Sequence, residues 1–154
     1  MKDITIARAL KEKAKLIGRI AVLQERLYAN NSYVKDNVPA YDTNVVLEDL
    51  INAKAELVLL KAGIAKANIP VVEKIYMLSE KKGLVQVLKN LNTNNGFFDS
   101  GRYNSSELRE YIAVIKRKDA DDKISVLEQE IQDLQDELDA FNVSTYVKIL
   151  DNTK

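Results

Sequence analysis

The chain has 154 residues, with 23 basic and 23 acidic side chains and a formal net charge of zero. It contains no Cys, His or Trp, which excludes a structural zinc site, an Fe–S cluster, a His-ligated haem, a Cys nucleophile and a Ser-His-Asp triad. Only carboxylates, amides and carbonyls remain to hold a cation, and 5 Gly with 2 Pro in a chain that is 46% apolar argue against a many-turned all-β fold.

Residues 3–30 read as a helix. Ala9, Leu16, Ile20, Leu23 and Leu27 recur at helical spacing, Lys13 interrupts the series, and Ile6, Leu10 and Ile17 widen it. Asn30-Asn31-Ser32 stops the helix, because side chains there compete for backbone hydrogen bonds. A polar connection with Pro39 leads to Asp42 or Thr43 as the cap of the next element. Residues 44–68 hold the cleanest pattern: Val46, Leu50, Ala53, Leu57, Leu60, Ile64 and Ala67 form an unbroken a/d seam. Ile51, Val58 and Leu59 carry apolarity beyond that seam and imply more than one neighbour. Asn68-Ile69-Pro70 ends this helix and can start the next.

A third, less regular helix spans 70–91, with Ile75, Leu78, Val85 and Leu88 on one face and Gly83 weakening it. Asn92 to Gly96 is the strongest loop signal, and the loop or linker is assigned to 92–110. Its Phe97, Phe98 and Tyr103 are expected to tuck beneath a helical bundle; exposed, they would mark a partner or membrane contact. The β-branched run near 111–117 suggests one short β segment, which needs another chain or a stretch near 33–41 as its partner, or else converts to helix. A second clean seam, Ile124, Leu127, Ile131, Leu134, Leu138 and Phe141, defines a helix over 120–141. The tail adds a β-like run at Tyr146-Val147-Lys148-Ile149-Leu150.

Zero net charge hides an asymmetry. Residues 1–28 carry seven basic and three acidic side chains, 101–118 five and two, and 119–141 one and nine. Opposite blocks on long helices suggest pairing, within the chain or across subunits, with the seams supplying the energy and the charge choosing the partner.

No catalytic constellation stands out. Asp119, Asp121 and Asp122 lack the spacing of a calcium loop and sit where acids cap a helix. The carboxylates of the last helix lie mostly off its seam, on a solvated face. Lys81-Lys82 and Lys116-Arg117-Lys118 are short basic runs, better read as partners for the acidic helix than as a nucleic-acid footprint. No phosphate-binding or dinucleotide-type Gly motif is present.

Ala9-Leu10, Glu25-Arg26-Leu27, Asn30 and Pro39 are followed downstream by Leu47, Leu50, Glu56-Leu57, Ile64 and Asn68. Arg102-Tyr103, Ser106-Glu107-Leu108-Arg109 and a last heptad helix ending at Asn142 complete the set. This arrangement resembles the septicolysin-like family of uncharacterised bacterial helical proteins over roughly residues 6–143. Two departures stand out: Val34-Lys35-Asp36-Asn37 replaces that family's acidic Gln-Glu-Gly-Glu loop, and Val143 stands where a Trp is usual. The resemblance implies a mainly helical, oligomeric protein and no established activity; the family name suggests a cytolysin. Its polar matches, Asn30, Arg102, Tyr103, Glu107, Arg109 and Asn142, suggest a polar cluster at one end of the helices. Alternatively the asparagines end helices and an Arg–Glu pair fastens the linker.

The expectation is therefore an all-α protein, 1–154 in a single helical domain, of long antiparallel helices with coiled-coil-like packing and one short β segment. Its function is unknown from sequence. A self-associating structural or interaction protein, a homo-oligomer, is the leading reading; a membrane-active, toxin-like protein is the alternative, and an oxygen-ligand metal-dependent binder or enzyme the next. No catalytic, cofactor-binding or metal residue is assigned. No nucleic-acid partner, cofactor or small-molecule ligand is expected, and membrane contact is not favoured. The opening Met1-Lys2-Asp3-Ile4 has no apolar leader pattern, so a cytoplasmic location is expected.

Overall fold

The computed structural model describes residues 2–99 and 108–149. The protein is mainly helical, with two small antiparallel sheets of two strands each. In chain order the elements are β1 (Lys2–Thr5), α1 (Ile6–Asn30), α2 (Thr43–Ala67), a 3₁₀ turn (Ile69–Val71), α3 (Val72–Lys89), β2 (Gly96–Asp99), β3 (Leu108–Tyr111), α4 (Arg117–Ser144) and β4 (Tyr146–Ile149). They divide into two compact units, Met1–Val71 with Asp139–Lys154, and Val72–Leu138.

The first unit is a helical hairpin with a β-ribbon at one end. Asp42 caps α2, its carboxylate accepting from the Asn44 and Val45 amides at 2.9 and 3.4 Å. The Thr43 hydroxyl donates to the Asn30 carbonyl at 3.1 Å and ties the end of α1 to the start of α2. The seam residues of α2 face α1. Val46, Leu50 and Ala53 bury against Leu16, Ile20 and Leu23, and Leu60 and Ile64 against Ile6 and Ala9. Each large side chain so buried contributes about 1.5–3 kcal/mol. The core divides into these two clusters at Lys13, the residue that interrupts the α1 series.

The structure shortens the first expected helix. Residues 2–5 are a strand, not the first turn of α1. β1 pairs antiparallel with β4, Ile4 opposite Val147 and Asp3 opposite Lys148. Ile4 and Val147 are buried in the cluster around Ile6. Thr5 then caps α1, its hydroxyl accepting from the Arg8 amide at 3.3 Å. The pairing partner lies at the far end of the chain, so helical spacing within 3–30 does not reveal it. The β-like tail run contains β4, a strand beyond the one short β segment expected of the fold.

The second unit pairs α3 with residues of α4 in antiparallel order. Lys74 bonds Glu137, Lys81 bonds Glu130, and Lys89 bonds Glu128 at 2.8 Å, while Lys82 reaches the Gln135 amide oxygen at 3.4 Å. Val85, Ala120, Ile124 and Leu138 are buried in this unit, with the other seam positions half-buried. α4 starts at Arg117, earlier than expected, where the guanidinium bonds Asp121 one turn on at 3.0 Å.

Two sequence expectations are corrected here. The β segment lies at Leu108–Tyr111, not across 111–117, and it has a partner: β2 pairs with it, Gly96 opposite Tyr111 and Asp99 opposite Leu108. Within the segment assigned as loop or linker, 92–110, residues 96–99 and 108–110 are strand, 92–95 remain loop, and 100–107 lie outside the described residues. The ladder stops at Gly96, whose φ of 110° suits glycine alone. Beyond it Ile112–Ile115 pairs with no strand among the described residues; the Ala113 amide donates instead to the Asn95 side chain at 3.3 Å.

Candidate interaction surface

Of the expected polar cluster, Asn30 and Asn142 belong to the first unit and lie apart within it. Asn30 is the last residue of α1, and its side-chain amide donates to the Arg26 carbonyl at 2.7 Å. Asn142 lies near the end of α4, three residues before Thr145, whose carbonyl accepts from the Ile6 amide at 2.9 Å at the start of α1. α1 has 25 residues, which sets its ends roughly 37 Å apart, so Asn30 and Asn142 lie near opposite ends of it. Arg109 is in β3, opposite Phe98. Arg102, Tyr103 and Glu107 lie outside the described residues. Asn30 does what the second reading asks: it ends a helix.

The acidic residues near 119–122 are likewise spent on the helix. Asp121 receives Arg117, and its carbonyl receives the Ser125 hydroxyl. Among the described residues no group of three or more carboxylates is placed to hold a metal ion.

What the second unit does expose is apolar. In the β2–β3 ribbon, residues directly opposite one another share a face. Phe98 and Tyr111 turn their rings to each other, centroids 5.9 Å apart in an edge-to-face arrangement. Phe97 shares the other face with Glu110 and is 68% exposed; Phe98 is exposed as well, so these two do not tuck away as expected, and Tyr103 lies outside the described residues. Ile112 is 81% exposed and Val114 95%, with Ala113 half-buried and Ile115 exposed. These residues follow β3 directly. With Leu91 and Asn94 they line an open groove of about 270 Å³. Three exposed large apolar residues within a run of four are uncommon without a function. Among the described residues each strand of the ribbon pairs with the other and with no third strand, so each is an edge strand.

The sequence carried part of this signal. Phe97 and Phe98 stand out in a polar segment, and the β-branched run after residue 111 was legible as strand-like. The exposure of Ile112 and Val114 was not, because it depends on where the ladder ends.

None of the described helices is long and apolar enough to cross a membrane. No protein-family model and no curated protein matches the chain. In structure the chain is similar to a functionally unknown conserved protein from Corynebacterium diphtheriae. The TM-score is 0.77 over 96% of this chain and 100% of that one, at 18% sequence identity, which shows a shared fold and no function.

Proposed function

We propose that this protein is a self-associating interaction protein, its helical hairpins acting as structural arms and the β2–β3 ribbon, with the residues that follow it, as the adhesive surface. The observation that carries this is the exposure of Ile112, Val114 and Ile115 beside edge strands. Burying side chains such as Ile112 and Val114 between two copies is worth about 1.5–3 kcal/mol each. A two-stranded ribbon is marginal alone and gains from a further strand or a covering surface. The heptad-spaced seams of α2 and α4 support coiled-coil-like packing of the arms. The resemblance to the septicolysin-like family supports a helical oligomer as well, and a cytoplasmic location fits the sequence.

Light scattering on size-exclusion fractions tests the reading. The chain should elute above its 17.4 kDa monomer mass at micromolar concentration. Val114→Glu and Ile112→Glu should each return it to the monomer without changing its circular dichroism, because both side chains already face solvent. A wild-type chain that stays strictly monomeric sinks the proposal.

A further inference from the structure

We infer that the outer face of α2 is a docking site for an acidic amphipathic helix of another protein. α2 is apolar on more than the side it turns to α1. Leu47, Ile51, Ala55, Val58 and Ala62 form a second row at helical spacing, and all five are exposed. Ile51 is 59% exposed and Val58 64%. At about 100° per residue this row lies roughly 140° round the helix from the buried one, and it runs for about 22 Å along the axis. A helix apolar on two sides normally has a neighbour on each. Ala55 and Ala62 leave room for a second backbone to come close.

The charges beside the row say what that neighbour is. Lys54 and Lys61 follow one edge, and Lys66 lies off the other. None of the three ammonium groups has a hydrogen bond or ion pair among the described residues. The lysines of α3 differ, since Lys74, Lys81 and Lys89 are each bonded to a glutamate of α4. On α2 a carboxylate borders the row only at its N-terminal end, at Glu48; Asp49 is turned toward Arg19 of α1, 3.9 Å away. A second α2 is a poor occupant. Antiparallel pairing would bring Lys54 beside Lys61 of the other copy, and parallel pairing would bring Lys61 beside Lys66. A helix with small and branched apolar residues on one face and Asp or Glu on both flanks satisfies the row and the lysines together. This face belongs to the first unit, and the ribbon to the second.

Two labelled three-heptad peptides test this on the full chain. Both carry Leu and Ala on one face; one is flanked by Glu, the other by Lys. Fluorescence anisotropy at low salt should show the Glu peptide binding at least about tenfold tighter, a difference of about 1.4 kcal/mol. Lys54→Glu with Lys61→Glu should reverse the preference, and Val58→Glu should abolish binding of both peptides. Circular dichroism and melting of the variants should match wild type, since the three side chains are exposed. Equal affinity for the two peptides, binding of neither, or no effect of Val58→Glu overturns the inference. So does a fall in mass on Val58→Glu by light scattering, which would show a second copy on this face.

Discussion

Gly63 shows how one atom is withheld so that two elements can meet. A Cβ built there would stand 2.8 Å from the Val147 Cγ1, where β4 crosses α2. Alanine normally gains about 1 kcal/mol over glycine inside a helix. Here it must also push β4 away, and overpacking of that kind costs about 1–3 kcal/mol. Gly63→Ala should therefore lower the melting temperature by a few degrees, a net loss of about 1 kcal/mol. Gly18 is the control, since an added Cβ there meets nothing within 4 Å. Gly18→Ala should raise the melting temperature. Equal stabilisation by both substitutions would show that β4 does not hold its place on α2. The sequence displays Gly63 only as a weak point in a strong helix. What makes it necessary is Val147, a contact between distant parts of the chain.

Among elements, what could be read early is what is decided locally. The seam of α2 was legible because each of its residues answers to a neighbour three or four positions away. The caps at Asp42 and Asn68 were legible for the same reason. β1 was hidden, since four residues carry no period and their partner is β4. β3 was displaced in the reading because β-branched side chains mark willingness to be a strand, while the position of Gly96 decides where the strand stops. The α3–α4 pair separates two roles that sequence patterns run together. Its lysine–glutamate pairs lie at the surface, two of them exposed and the third with Lys81 half-buried, and each contributes about 0–1 kcal/mol, so they choose the register without holding the helices together. Val85 is buried and holds more. A double-mutant cycle of Lys81→Ala and Glu130→Ala should return a coupling of about 0.2–1 kcal/mol. Val85→Ala alone should cost about 1–3 kcal/mol in urea unfolding. A coupling larger than the Val85 loss would reverse that ranking.

For the molecule as a whole, the zero net charge divides between the units. Met1–Val71 with Asp139–Lys154 carry 13 basic and 10 acidic side chains, and Val72–Leu138 carry 10 and 13. One unit is thus +3 and the other −3, and two copies could attract each other head to tail on charge alone. The exposed ribbon offers a different cohesion, one that does not need charge. Salt separates the two. Raising NaCl from about 0.1 to 1 M shortens the screening length from about 10 to 3 Å. Apolar burial is not weakened by that change, and sulfate strengthens it. If the ribbon joins the copies, the mass measured by light scattering should hold through 1 M NaCl and rise or hold in ammonium sulfate. Val114→Glu should remove the assembly at every salt concentration. If the mass instead falls to one chain as NaCl rises, while circular dichroism shows the helices intact, the opposed charges of the two units are what joins them. The ribbon would then be exposed for some other partner.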